Sequence, residues 1–319
     1  MHREKIGVLL MAYGSPDSLN DVEAYFTEIR RGQKPKPEEV EELGERYKRI
    51  GGRSPLLEIT KLQAMALEAS LRLQGVDCRV YVGMKHWYPF IDDAVKSMLD
   101  DGIRRVVAVV LAPHYSKTSI GGYKEALITA KSKFKETLSI SFVENWGDNS
   151  LFLRAWVEKI EAALTGFQSS VKDLFVVFTA HSLPQSVTEP DDPYPTQLQE
   201  SCRRVAEMAN LSRWTFAYQS AGLRKGKWLG PDILERLREL AGFGDHNVLI
   251  VPIGFVSDHL EILYDIDVEC QDFAKANGIN LVRTEMLNTS PTFIAALTAT
   301  VKEHLERDFP GARTKNGIG

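Results

Sequence analysis

Short apolar runs rich in Val, Ile and Leu recur along the chain, separated by stretches whose apolar positions return with the period of an α-helix. Strands buried on both faces give the first pattern and amphipathic helices the second, so together they predict a parallel sheet covered by helices. The runs place strands at 5–13, 78–85, 104–113 and 139–145, then at 173–182, 214–221, 247–255 and 280–286. Helices are expected at 19–31, 37–49, 55–74, 89–101, 121–134 and 149–165, then at 193–209, 231–241, 258–275 and 291–308. Pro89, Pro193, Pro231 and Pro291 stand where a first helical turn accepts a residue with no N–H to donate. The fold class is therefore α/β, with four strands in each half.

The halves share a faint repeat. LLMAYGSP at 9–16 and FTAHSLP at 178–184 both read apolar strand, Ala, aromatic or His, small residue, any residue, Pro, which puts Tyr13 and His181 at matching positions. Each closes the first strand of its half, and the carboxyl ends of strands line the ligand crevice of open α/β sheets. The boundary is expected near 146–170, where the helix LFLRAWVEKIEAAL leads into the polar stretch TGFQSSVKD. No Pro- or Gly-rich linker lies there, so a tight contact is expected between a first unit, 1–150, and a second, 165–287. The last helix, 290–310, is expected to cross back to the first.

Composition narrows the function classes. A chain of 319 residues, 44% apolar and 26% charged, has room for two ordinary domains. Its formal net charge of -4 gives no general attraction to nucleic acid or an anionic membrane. No apolar run approaches the roughly 18 residues of a membrane helix, and the one in MHREKIGVLLMAYGS is short for a secretory signal, so a soluble, cytoplasmic protein is expected. Cys78, Cys202 and Cys270 are scattered and form no CxxC, which argues against a disulfide framework or a Cys-ligated cluster. Neither a Gly-x-Gly-x-x-Gly nor a GxxxxGK[ST] segment follows a first strand, and GxSxG is absent.

Three segments offer chemistry. His181 ends an otherwise apolar strand, where a histidine serves as proton acceptor or metal ligand, or else as a hydrogen-bonded core residue. In VPIGFVSDHLEILYDIDVEC, Asp258 is a plausible N-cap and Glu261 falls at its third helical position, so a capping box is one account of the pair. Capping does not explain Asp265 and Glu269, which extend the acids at four-residue spacing, a repulsive row that suits a hard divalent cation or a solvated helix face. In the first half, Arg30, Arg31, Lys34, Lys36, Arg46, Tyr47, Lys48 and Arg49 precede the loop Gly51-Gly52-Arg53-Ser54-Pro55. Arginine forks suit carboxylates, although nearby glutamates nearly balance these bases.

With these residues in view, the chain resembles the ferrochelatase family over nearly its whole length, and within it the short, soluble enzymes of Gram-positive bacteria. The resemblance rests on VLLMAYGSP, EIRRGQKP, RYKRIGGRSPL, VGMKH, LAPHYS, TAHSLP, DPYPTQL, WLGP and GFVSDHLEILYDID. It implies a chelatase-like fold of two Rossmann-like domains, each a four-stranded parallel sheet flanked by helices, with the active-site cleft between them. It also implies a lyase of haem biosynthesis that inserts Fe2+ into a porphyrin.

Matched by motif, His181 and Glu261 correspond to the catalytic pair at the inner ferrous site. Tyr13 matches the tyrosine facing the macrocycle from the first domain. Arg30, Arg46, Tyr47, Ser54 and Tyr123 match positions that hold the porphyrin and its propionates, and Asp265 and Glu269 match an outer metal-binding ridge, a candidate Mg2+ site. Fe2+ is then a substrate, with no permanently bound cofactor. The cysteine-rich C-terminal extension that ligates an iron–sulfur cluster in animal relatives is not found, so no cluster is expected and coproporphyrin III is favoured, with protoporphyrin IX as the alternative. More remote alternatives are a cobalt or nickel chelatase acting on sirohydrochlorin and a non-catalytic haem-binding protein. The expected partners are porphyrin and Fe2+, with transient contacts to an iron donor and haem-pathway enzymes, and a monomer is expected.

Overall fold

A computed structural model describes residues 6–166, 174–185, 191–222 and 227–310. The first half comprises β1 (Ile6–Ala12), α1 (Val22–Ile29), α2 (Pro37–Arg49), α3 (Leu56–Leu73), β2 (Cys78–Met84), α4 (Ile91–Asp100), β3 (Arg105–Val110), α5 (Ile120–Ser132), β4 (Ser139–Val143) and α6 (Ser150–Gly166). The second comprises β5 (Phe175–His181), α7 (Tyr194–Met208), β6 (Trp214–Gln219), α8 (Ile233–Gly242), β7 (Asn247–Val251), a π-helical segment (Glu261–Cys270) continuing as α9 (Gln271–Ala276), β8 (Asn280–Arg283) and α10 (Pro291–Asp308). The two sheets are parallel throughout and share one plan, β2-β1-β3-β4 and β6-β5-β7-β8. Tyr13 thus follows β1 and His181 ends β5, the corresponding inner strands of the two sheets.

Alternation along β1 divides the first half into two cores. Val8 and Leu10 face a core shared with the second half, alongside Val107, Val109 and Val143. Leu9 and Met11 face a separate core with Val106, Ala108, Ile91, Val95, Met98 and Leu127, under α4 and α5. Both faces are covered, which is why the strands read as continuous apolar runs. The helix α6 belongs to the shared core, where Phe152 and Trp156 are fully buried. Each aromatic buried in this way contributes about 4–6 kcal/mol of transfer free energy on area bookkeeping. The last helix, α10, packs on α3, α6, β3 and β4. No helix among the described residues is long and apolar enough to cross a membrane.

Three of the four expected proline positions differ from the pattern. Pro291 opens α10, but Pro89 and Pro231 sit in cis peptide bonds ahead of α4 and α8, and Pro193 immediately precedes α7. Other groups take the start of those first two helices. Asp93 accepts from the Phe90 N–H at 2.9 Å, and Asp232 from the Leu234 N–H at 2.8 Å. The polar stretch expected at the boundary lies mostly outside the described residues.

The halves are also joined by polar contacts along α7. The Tyr115 N–H donates to Gln197 at 2.7 Å, and Ser116 to Asp192 at 3.1 Å. Ser201 donates its hydroxyl proton to the Gly147 carbonyl at 2.9 Å, so His114 Nε2, also 2.9 Å away, is the donor to Ser201. Burial holds the His114 pKa at about 3, below its ordinary 6.5. The folded chain therefore refuses a proton that the unfolded chain accepts below 6.5, and stability falls as pH drops through that window. This linkage removes about 2 kcal/mol by pH 5. Melting temperature measured against pH should fall on acidification with a shallower slope in His114→Gln; equal slopes would contradict the assignment.

Candidate active site

His181 ends β5 with its Nδ1 against the Ser182 carbonyl. A carbonyl only accepts, so Nδ1 carries the proton and Nε2 is the nitrogen facing Glu261, 3.5 Å from Oε1. The Tyr194 hydroxyl donates to the His181 carbonyl at 2.9 Å and fixes the backbone there. The other carboxylate oxygen of Glu261 lies 3.6 Å from His259 Nε2, and His259 Nδ1 lies 3.0 Å from the Ser257 carbonyl. One carboxylate thus sits between two imidazoles. The side chains of His181 and Glu261 are 33% and 32% exposed, so the pair opens to solvent and His181 is not a closed core residue.

Two backbone features bring this pair together. After β7 the chain passes so close to β5 that a Cβ on Gly254 would lie 2.4 Å from that of Ala180, and the Gly254 N–H bonds to the Thr179 carbonyl at 3.1 Å. Only glycine fits that approach. Gln219, buried at the end of β6, accepts from the Thr179 hydroxyl at 2.7 Å and donates to the Glu261 carbonyl at 3.2 Å. The strand that carries His181 is thereby tied to the residue that opens the π-helical segment.

The acidic segment departs from the capping account. Asp258 accepts from Asn288 at 2.7 Å and lies 3.3 Å from Arg283, and the helix begins later, at Glu261, with no side-chain cap. Asp258 anchors a loop as one of two acids on the part-buried Arg283 guanidinium, which also pairs with Asp267 at 2.7 Å. The wider i→i+5 turn over Glu261–Cys270 was not foreseen by a pattern of α-helical period. Along it Glu261 is open, Asp265 is buried against the Ser220 hydroxyl, and Glu269 is exposed.

Burial and charge set the protonation states. Burial works against a charged His181, but the Glu261 carboxylate outweighs it and raises the imidazole above its usual range. Burial likewise opposes ionisation of Glu261, yet His181 and His259 hold it well below the carboxylate range. Asp265 is pushed up to about 7, by burial first and by Glu261 second. Without metal the site holds an imidazolium beside a carboxylate, with an acid near neutrality behind them.

Tyr13 and the other candidate residues of the first half have these surroundings. Tyr13 is 42% exposed, with its ring 4.6 Å from that of His86. Tyr47 and Tyr123 are buried, and both are pushed above their ordinary range, chiefly by burial; Tyr13 and Glu261 add to the rise of both, so the two tyrosines lie near that pair of residues. Arg46 bonds Glu42 at 3.0 Å, lies 3.9 Å from Asp265 and covers the Tyr264 ring at 5.2 Å. The Arg30 fork holds Glu39 at 2.6 and 2.9 Å, and the guanidinium covers the Phe26 ring. Ser54 is buried, its hydroxyl oxygen 3.3 Å from the Leu56 N–H at the start of α3. Sequence reasoning passed over His259, although DHLE places it beside Glu261, and it passed over Gln219 and Tyr194, which act through the backbone and leave no local signal.

Two such sheets with a metal-competent pair across a cleft define a protein of the chelatase fold. The sirohydrochlorin chelatase SirB of Bacillus subtilis subspecies spizizenii, solved in complex with cobalt, aligns with a TM-score of 0.59 over 97% of this chain and 98% of that one. At 13% identity that likeness shows the fold alone. Residues 5–305 match the family model Ferrochelatase, and the chain belongs to the ferrochelatase family, enzymes that insert ferrous iron into porphyrin. It is 44% identical to the ferrochelatase of Herpetosiphon aurantiacus, over 93% of this chain and 98% of that one. It is 42% identical to the coproporphyrin III ferrochelatase of Geobacillus kaustophilus, over 94% and 96%, and 41% identical to that of Bacillus subtilis, over 96% and 100%.

Proposed function

We propose that the chain inserts ferrous iron into coproporphyrin III, giving the iron porphyrin and two protons per turnover. The observation that carries the chemistry is the open His181–Glu261 pair, with Tyr47 and Tyr123 of the first half near enough to feel the Glu261 charge. The names of the Geobacillus and Bacillus relatives support the choice of porphyrin. Protoporphyrin IX is the alternative substrate. The units proposed are 1–150 with the helix 290–310, and 165–287.

Glu261 offers the incoming cation a permanent negative charge, and His181 Nε2 offers a nitrogen ligand once its proton leaves. Iron and proton compete for His181, so iron arriving at Glu261 lowers the imidazole's hold on its proton. The neutral ring can then contact the metal or take a pyrrole proton. Asp265 is the nearest acid able to exchange protons near neutrality, and Glu269 offers an outer carboxylate toward solvent. Tyr13 faces the ring from the other side, and binding energy from the porphyrin's carboxylates is available to strain the macrocycle and expose its nitrogens.

An anaerobic assay with ferrous iron separates the two porphyrins. The expected kcat/KM for coproporphyrin III exceeds that for protoporphyrin IX by about tenfold or more, because each charge-assisted contact to an additional carboxylate is worth that much. Equal values, or the reverse order, would overturn the substrate assignment.

A further inference from the structure

The two edges of the second sheet are finished differently. β8 forms one edge, and its Leu281 carbonyl accepts from the Gln271 side chain at 3.0 Å. The edge strand β2 of the first sheet is closed in a similar way, the Val80 N–H donating to Glu68 at 2.8 Å. β6 is the other edge of the second sheet, and near its carboxyl end the Tyr218 N–H donates to the Pro231 carbonyl at 2.8 Å. Successive main-chain groups of a strand point to opposite sides. The Arg213 and Gln219 carbonyls accept from Val176 of β5 and from Ser182 just after it, so the main chain of Trp214, Phe216 and Tyr218 points away from β5. Among the described residues nothing hydrogen-bonds the main-chain groups of Trp214 or Phe216 on that outer side.

This open stretch borders a cavity of about 500 Å³ between α7 and α8. Pro195 and Gln199 of α7, Trp214 and Phe216 of β6, and Leu229 and Pro231 line it. Among the described residues of the lining only Arg236 is charged. One terminal nitrogen of its guanidinium bonds Glu239 at 2.7 Å, while its buried Nε has no partner among the described residues. Edge strands are ordinarily blunted by a charge, a proline or a cover. The β6 sequence WTFAYQ has neither charge nor proline, and the Pro231 cover reaches Tyr218 but neither of the two outward residues before it.

We propose that the outer edge of β6 is a docking site for an extended peptide segment of a partner protein, which adds a fifth strand beside Trp214 and Phe216 and brings a carboxylate to Arg236. At about 3.3 Å per residue, Trp214 to Tyr218 spans about 13 Å, room for a segment of about four or five residues. Main-chain bonds to Phe216 hold the segment, and the aromatic and prolyl lining takes its apolar side chains. Arg236, with no carboxylate beside it in the lining, selects an acidic residue. Neither His181 nor Glu261 lines this cavity, so the site stands independently of the porphyrin reading.

The test is fluorescence anisotropy of a fluorescein-labelled peptide, Thr-Val-Glu-Val-Thr with blocked ends, titrated with the full chain. Saturable binding is expected with a Kd of about 10–100 μM, the range of a small transient interface. Arg236→Gln should raise that Kd about tenfold and flatten its salt dependence, and Arg236→Lys should recover part of the loss. Gln199→Glu, at an exposed position of α7, sets a negative charge in the lining and should weaken binding severalfold; it serves as the readout if Arg236→Gln folds poorly. Hydrogen exchange of the Phe216 amide should slow when the peptide is bound, and the same peptide N-methylated throughout, with no main-chain donors, should not bind. No binding up to about 1 mM peptide, equal binding of the N-methylated peptide, or unchanged exchange at Phe216 overturns the proposal. A chain that dimerises by itself and loses the dimer in Gln199→Glu would place a second copy on this edge and overturn it as well.

Discussion

His181→Ala abolishes iron insertion, lowering turnover by about three orders of magnitude or more, while the affinity for coproporphyrin III changes by less than about threefold. The split follows from geometry. His181 ends β5 in the second half, and among the described residues its polar side-chain contacts are the Ser182 carbonyl and Glu261, whereas Tyr13, Tyr47 and Tyr123, the residues proposed to face a porphyrin, come from the first half. The substitution removes a metal ligand and a proton acceptor together. It leaves β5 held by Gln219 and Gly254. Anaerobic turnover and metal-free porphyrin binding, measured on one preparation, check both halves of the statement. Normal turnover would remove His181 from the mechanism, and loss of porphyrin binding would mean that the residue shapes the cleft.

Glu261→Gln should lower insertion by about a hundredfold or more and should also shift the titration of His181 downward. The sign follows from the two opposing influences on the imidazole. Burial disfavours its charged form, and the Glu261 carboxylate is what overrides burial. With a neutral amide at 261 the carboxylate's contribution vanishes, burial prevails, and His181 loses its proton at a lower pH than in the parent chain. NMR titration of the His181 ring reads this directly. A variant with slowed insertion but an unmoved His181 titration would show that the two residues act separately. The amide keeps the shape of the carboxylate, so the backbone bond from Gln219 to the 261 carbonyl is expected to remain.

Strand ends were the most legible part of the molecule. Parallel strands buried on both faces must be apolar throughout, so β1 and β5 stood out, and the match of Tyr13 with His181 put both at the carboxyl ends of corresponding strands. Helix starts were read less well, because proline also occurs ahead of a helix: Pro89 and Pro231 precede α4 and α8, whose first turns are held by Asp93 and Asp232. The π-helical turn carries no α-periodic mark, and Asp258 looks like a cap until Arg283 and Asn288 are seen to hold it. Arg30 shows the same limit. Charge composition near residue 30 could not reveal that Glu39 closes around one arginine.

The central claim is that His181 and Glu261 exchange a proton-stabilised pair for a ferrous ion and pass that ion to a bound macrocycle. The most direct measurement is anaerobic mixing of ferrous iron with the chain preloaded with coproporphyrin III, following the visible absorption through one turnover beside His181→Ala. The expected result is conversion of the free-base bands to the simpler spectrum of the iron porphyrin in the parent chain, and persistence of the free-base bands in the variant. Free-base bands that persist in the parent chain with porphyrin bound, or that convert equally fast in the variant, would contradict it.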